Sequence, residues 1–253
     1  MHKFFAKTLF FGKNIEFLTE CHSTNDEMLH RVRFGGVSEG AILWSDYQLK
    51  GKGQRGNTWE SQRGKNLLFS IFLKPGFLRL RDQHFITFTG ALAIRDFLLE
   101  TGINAPVKIK WPNDIYMVDK KLAGILTESS IYQGILENVV LGIGLNVNQA
   151  SFDTPTATSI RIVTGEEYDR EELLEILCGF LEKYYLLLKA GKKDFIKDQY
   201  EKSMLWINER HVFAKDSNEF TGEILGIDEK GWLKIKTNNQ VKTFNFREIQ
   251  FIR

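Results

Sequence analysis

The chain has 253 residues, 43% of them hydrophobic and 26% charged, with a formal net charge of +2. That length accommodates one large domain or a domain with a small module; the composition argues against disorder and gives no bulk field for wrapping nucleic acid. Cys21 and Cys178 are the only cysteines, and with no second sulfur near either, a disulfide framework or zinc site is not expected.

Residues 1–12 mix Phe4, Phe5, Phe10 and Phe11 with Lys3 and Lys7. They lack the continuous apolar core and small-residue cleavage site of a signal peptide. No stretch reaches the ~20 apolar residues of a membrane span, so the expected location is the cytoplasm. Cys21 beside His22 could suggest a thiol nucleophile, but neighbours in an extended segment point to opposite faces, and a partly buried structural thiol is the simpler reading. Ser23-Thr24-Asn25-Asp26-Glu27 opens a helix whose apolar face includes Met28, Leu29 and Val32, with Thr24 and Glu27 at capping-box spacing.

Residues 41–46 read as a strand, followed by a glycine- and lysine-rich loop over 48–56. The apolar run 66–73 reads as a buried strand, ended by Lys74-Pro75-Gly76. Phe85, Ile86, Phe88, Leu92, Ala93 and Phe97 make a well-buried helix to about residue 100. Short strands over 107–110 and 115–118 flank a Trp111-Pro112-Asn113-Asp114 turn. Asp119-Lys120 bends the chain into a strand over 121–130, and 137–147 returns as another. Such short connections predict an antiparallel or mixed sheet. Asp169 begins a long helix with Leu173, Leu174, Leu177, Phe180, Leu181, Tyr184 and Leu188 at helical spacing, and a second helix covers about 192–204. After Trp206 the texture changes to short strands over 210–214, 219–227, 232–237 and 241–247. Tight turns at Asp228-Glu229-Lys230-Gly231 and Asn238-Asn239 separate them, which predicts a small β-barrel-like module.

Gly51-Lys52-Gly53-Gln54-Arg55-Gly56 matches G-x-G-x-x-G, a weak signal alone. A dinucleotide-binding fold needs a helix opening there and a ribose acid about 20 residues on; Asn57-Thr58-Trp59-Glu60-Ser61 opens no apolar helix, and no such acid follows. The catalytic and metal motifs of kinases are missing, as is the Gly-Lys-Ser/Thr ending of a P-loop. A flexible surface turn is the plain alternative. Against it, Lys50, Lys52 and Arg55 interleave with three glycines, so cations and backbone N–H groups can converge on one polyphosphate. Three later segments carry more: Lys110-Trp111-Pro112-Asn113-Asp114, then Lys121-Leu122-Ala123-Gly124-Ile125-Leu126, then Gly142-Ile143-Gly144-Leu145-Asn146. Singly they read as a packed turn, an exposed strand lysine and a glycine bulge. In this order through one sheet, coincidence is a poor account.

With Ser23-Thr24-Asn25, Gln48 and the 51–59 loop, these segments resemble the biotin protein ligases (biotin–acetyl-CoA-carboxylase ligases), over most of the chain to about residue 165. The resemblance implies an α+β fold: a mixed-sheet catalytic domain (1–206) like that of class II aminoacyl-tRNA synthetases, and a small SH3-like β-barrel domain (207–253). It implies ATP and biotin as substrates with Mg²⁺, and transfer of biotin to a lysine of a biotin carboxyl carrier protein or domain. Ser23, Thr24, Asn25 and Gln48 would hold the ureido end of biotin. The loop carrying Gly51, Lys52, Gly53, Gln54 and Arg55 would close over the carboxylate and phosphate, and Lys121 would sit against both. Trp59, Asn113 and Asp114 would frame the nucleotide, and Gly124 and Asn146 belong to the matching strands. Gln54 stands where the family often has arginine and Asn57 where another basic residue is common, which leaves open how tightly the activated intermediate is held. Too few residues precede Ser23 for the helix-turn-helix domain of some members, so DNA is not an expected partner. A homodimer through an exposed sheet edge is plausible, and the sequence does not specify the Mg²⁺ ligands, since a nucleotide can supply most oxygens.

A carboxylate is a poor acyl donor, and driving it onto ATP requires cations and N–H dipoles aimed at the α-phosphate. Lys121, Lys52 and Arg55 are the candidate catalytic residues. Biotinyl-5′-AMP would then be attacked directly by the carrier lysine, with no acyl-enzyme, since no positioned Cys or Ser nucleophile is visible. A lipoate or octanoate ligase of the same architecture is the nearest alternative; a non-catalytic sensor of an adenylated ligand is the other.

Overall fold

The computed structural model describes residues 7–103, 105–238 and 240–252, and the side chain of Arg55 is outside that description. Lys3, Phe4, Phe5 and Asn239, named above, also lie outside the described residues.

Seven strands form one mixed sheet. β1 (Ile15–Leu18) runs parallel to β2 (Ile42–Ser45), and every other pairing is antiparallel, through β3 (Leu67–Leu73), β7 (Ile135–Leu145), β6 (Lys120–Tyr132), β5 (Asp114–Met117) and β4 (Val107–Lys110) in that spatial order. The continuous apolar run predicted as a buried strand is β3, buried at all seven positions. Alternate side chains of a strand point to opposite faces, and both faces here are covered. Leu43, Phe72 and Val140 pack with Met28 of helix α1 (Thr24–Phe34), flanked by Leu29 and Val32. Their neighbours Ile42, Ile71 and Leu141 join the main core with helix α2 (His84–Glu100).

Helix α2 is apolar nearly all round because it is enclosed, with helix α4 (Arg170–Lys189) packed against it and helix α5 (Lys193–Lys202) alongside. Asp169 caps α4 by accepting from the N–H groups of Glu171 and Glu172 at 2.7 and 3.2 Å. Of the predicted apolar stripe of α4, all but Phe180 are buried. Burial pushes the Cys178 thiol above its usual range, the environment of an inert thiol. Cys21 is part-buried, and burial raises its pKa as well. The carboxylate of Glu182, 6% exposed, accepts from the backbone N–H groups of Leu9, Phe10 and Phe11 at 2.7, 2.8 and 3.0 Å, pinning the first described turn to α4.

One expectation is corrected. The capping box is not formed: Ser23 is the N-cap of α1 without a side-chain cap bond, Glu27 pairs with Arg31, and the Thr24 hydroxyl turns towards Gln48. The late glycines make no bulge, since Gly142 and Gly144 sit in unbroken ladder register with Ser70 and Leu68 on one side and Leu126 and Gly124 on the other. Strand β1 and the short helix α3 (Ile160–Thr164) are additions to the predicted elements.

The C-terminal segment forms a separate five-stranded antiparallel sheet, in spatial order β11 (Gln240–Phe244), β10 (Leu233–Thr237), β9 (Asn218–Ile227), β8 (Arg210–Lys215) and β12 (Gln250–Phe251). It is compatible with an SH3-like domain. Phe213, Ile224, Leu233, Ile235 and Phe244 form its interior. The Asp228 turn closes as predicted, with Asp228 Oδ1 accepting from the N–H groups of Lys230 and Trp232. Trp111, in the turn between β4 and β5, donates its indole N–H to Gly231 O at 2.9 Å and ties the two sheets together.

Candidate active site

On the α1 face of the large sheet, small residues open a cleft. Its floor is glycine. A Cβ on Gly142 would lie 2.2 Å from Asn25 Oδ1, and one on Gly144 would lie 2.5 Å from the Trp59 ring. A Cβ on Gly124, the cross-strand partner of Gly144, would meet the same indole at 3.0 Å. These three positions are glycine because the side chains of Asn25 and Trp59 lie directly on the strands.

One end of the cleft is polar and enclosed. Ser23, Thr24 and Asn25 are 3–4% exposed and line it with Gln48. Thr24 donates to Gln48 Oε1 through its N–H at 2.7 Å and its hydroxyl at 3.1 Å. Ser70 Oγ faces Thr24 Oγ1 at 2.8 Å and Asn25 Oδ1 at 2.6 Å.

At the middle, Lys121 Nζ lies 2.8 Å from Asp114 Oδ1, with its side chain 33% exposed, and 5.6 Å from the centre of the Trp59 ring. A β-bulge places it there. The β5–β6 register shifts between Ile115 and Tyr116, so Asp114 faces Gly124 and Ile115 faces Ala123, but Tyr116 faces Lys121. The extra residue lets Leu122 and Ala123 both enter the core while Lys121 and Gly124 both face the cleft. Asn113, 8% exposed, is held by its Nδ2 bond to Ile125 O at 2.7 Å.

The glycine loop forms the outer wall. Trp59 N–H donates to Gly51 O at 2.9 Å and Gly53 N–H to Asn57 O at 2.7 Å, folding the loop into a small hairpin. Lys52 reaches to Asp26 of α1 and forms an ion pair; that carboxylate raises the lysine pKa. Past Gln54 and Trp59 a second hollow continues the cleft along Lys110 and Pro112 to Phe246 and Phe251 of the C-terminal segment. The result is a two-armed groove with Lys121 and Asp114 at the elbow, lining both arms.

Twelve of the predicted site residues line the first arm: Ser23, Thr24, Asn25, Gln48, Lys52, Gly53, Gln54, Trp59, Asn113, Asp114, Lys121 and Gly124. Two do not. Gly51 sits behind the wall, where a Cβ would lie 2.8 Å from Trp59 O. Asn146 is buried below β6, its Nδ2 donating to Thr158 O and its N–H to Leu122 O; its role here is to bind the chain leaving β7 to that strand. Of the expected cations, Lys121 pairs with Asp114 at the elbow, and Lys52 lines the same arm while pairing with Asp26. Ser70 and Glu128 escaped sequence reading. Alternation along β3 and β6 puts them on the cleft face, but neither stands in a motif.

Solved structures share this fold. A biotin protein ligase from Aquifex aeolicus in complex with biotin and ATP superposes with a TM-score of 0.79 at 30% identity, covering 95% of this chain and 99% of that one. The fold is thus that of the acid-activating protein ligases. The chain belongs to the Biotin/lipoate A/B protein ligase family, whose model matches residues 18–146, and within it to the biotin protein ligases. It is 30% identical to the bifunctional ligase/repressor BirA of Bacillus spizizenii over 98% of this chain and 77% of that protein. It is 31% identical to the biotin–[acetyl-CoA-carboxylase] ligase of Paracoccus denitrificans over 87% of this chain and 92% of that protein.

Proposed function

We propose that the chain condenses biotin with ATP to biotinyl-5′-AMP in this groove and passes the biotinyl group to a lysine of a biotin carboxyl carrier protein or domain. The observation that carries this reading is the two-armed groove bent at Lys121. One arm ends in a polar pocket suited to a small head group, the other runs to a wider aromatic-edged hollow, and the cation stands where their contents meet.

In this reading Ser23, Thr24, Asn25 and Gln48 hold the cyclic urea. Lys121 leaves Asp114 for the biotin carboxylate and the α-phosphate, where its charge counts most as the reacting oxygens approach each other. Trp59, Asn113 and Asp114 frame the nucleotide. The loop at Gly51, Lys52, Gly53, Gln54 and Arg55 covers the mixed anhydride against water. Asp114 would hold a Mg²⁺ ion, which would supply positive charge against the polyphosphate. Asp114 is the one carboxylate among the described residues of the first arm's wall, and a single carboxylate with phosphate oxygens suits the six-oxygen shell of magnesium. In the second step the carrier lysine attacks the acyl carbon, the acyl–phosphate bond breaks, and AMP carries away the electron pair.

The proposal places the enzyme in the cytoplasm. No described helix is long and apolar enough to cross a membrane, and both cysteines are free thiols, as a reducing compartment keeps them. It includes no DNA partner, for which a net charge of +2 supplies no broad basic face. Strand β1, an edge of the large sheet, is the side on which a second copy could add. Pyrophosphate release measured with biotin, lipoate or octanoate, each with and without a carrier domain, tests the central reading. Release with biotin and ATP alone is expected; release only with lipoate or octanoate, or none with any acid, defeats it.

A further inference from the structure

The polar end of the first arm is wired in one direction. The backbone N–H of Thr24 can only donate, and Gln48 Oε1 receives it. Gln48 therefore keeps its carbonyl oxygen towards α1 and leaves its two amide protons for a ligand. On the other side a carboxylate can only accept. Asn25 Nδ2 donates to Glu128 Oε2 at 2.7 Å and to Leu126 O at 3.2 Å. Both amide protons of Asn25 are thereby used, and its Oδ1 turns back to the Ser70 hydroxyl at 2.6 Å, with a second lone pair remaining. Glu128 stands two residues beyond Leu126 on β6 and is not part of the cleft wall.

We propose that Glu128 is a positioning residue that makes this end of the cleft selective for a cyclic urea. By holding the amide protons of Asn25, it commits Asn25 Oδ1 as an acceptor for a ligand N–H, while Gln48 supplies the donor for the ligand carbonyl. Leu126 O alone does not fix the amide, because one 3.2 Å bond to a neutral acceptor competes with the Ser70 hydroxyl, which can accept as readily as it donates. Without the carboxylate the amide can turn over, and a ligand N–H then meets another donor. An alkyl or dithiolane head group, with no N–H to place, is indifferent to that change. The inference rests on the biotin reading above and adds the residue that enforces it.

The test uses the full chain with Glu128→Leu and Glu128→Gln, following pyrophosphate release while biotin and ATP are titrated separately. Leucine removes the acceptor at similar size. Its KM for biotin should rise about tenfold or more, the effect of losing one charge-assisted hydrogen bond, with KM for ATP and kcat within about twofold of wild type. Glutamine keeps a carbonyl acceptor and should stay within about threefold for biotin. Glu128 also contributes to the field on Lys52, and the glutamine variant removes that charge while keeping the bond. If Glu128→Gln is as weak as Glu128→Leu, the charge matters rather than the direction of the amide, and the proposal is overturned. An unchanged KM for biotin in Glu128→Leu overturns it too, as does a general loss in both KM values and kcat together with a lowered melting temperature. Wild-type enzyme that fails to use biotin would instead sink the functional reading, which separates the two failures.

Discussion

Replacing Gly142 with alanine should abolish tight biotin binding and lower stability without straining the backbone. The added methyl carbon would stand 2.2 Å from Asn25 Oδ1, 2.8 Å from its Cγ and 3.0 Å from its Nδ2, so the whole carboxamide must move. Moving it breaks the bonds to Ser70, Leu126 and Glu128. Two neutral bonds are worth about 1 kcal/mol each and one to a carboxylate about 2 kcal/mol. Part of that returns through water in the open cleft, leaving about 3 kcal/mol of lost stability, and the displaced carboxamide no longer presents Oδ1 to the ligand. Biotin affinity should fall about 100-fold. The backbone adds no strain to that loss, since Gly142 is not among the glycines of positive φ, and alanine in a strand interior recovers about 0.5–1 kcal/mol over glycine. Calorimetric titration with biotin, paired with a thermal melt, measures both quantities. A dissociation constant within about threefold of wild type, in a folded variant, would refute the idea that Asn25 must lie on the bare strand for the ligand to bind.

Lys121→Ala should lower the rate of adenylate formation about 100-fold or more while changing biotin affinity less than about tenfold, because its charge acts chiefly on the reacting phosphate; single-turnover pyrophosphate release against equilibrium titration checks it. Glu182→Ala should cost about 3 kcal/mol or more, since three N–H donors lose one buried charged acceptor; urea unfolding reads the difference, and a loss under about 1 kcal/mol would show that the first turn contributes little. Burial holds the His84 pKa down to about 4 from 6.5. The unfolded chain therefore binds more protons between those values, and stability should fall as pH drops from about 6.5 to 4, by about 3 kcal/mol in all. His84→Phe should flatten that part of the unfolding curve, and an unchanged slope would contradict the assignment.

Much of the fold was legible because the large elements obey strong periodicities. The unbroken apolar run of β3 and the helical stripe of α4 each specify one kind of element, and the structure shows both. Strand β1 was not legible: four residues, none of them buried, give too short a pattern to stand out. The site was legible where residue type and chemistry coincide, as with Lys121 or the glycines at Gly124, Gly142 and Gly144. How Lys121 gets there was hidden, because a bulge is a slip in register between strands and leaves no mark in either. Glu128 was hidden for a different reason. A glutamate near the end of a strand reads as a solvated charge until the carboxamide from another element is seen against it. The capping box failed because a side chain near a helix start has two suitors, and Gln48 proved a better partner for Thr24 than the helix itself.

The indole bond from Trp111 to Gly231 has a consequence for anyone wishing to trim this enzyme. Tyr200 caps Pro112 O of the same turn at 2.8 Å, and Glu201 receives the N–H of Ile227 at the same distance. Stopping the chain at residue 206 would strip Gly231 from the turn that delivers Asn113 and Asp114 to the groove, and Ile227 from the helix that braces it. The small sheet behaves as a keystone rather than an attachment: a minimal version of this catalyst has to retain it, and heating the intact protein should give one cooperative melt instead of two.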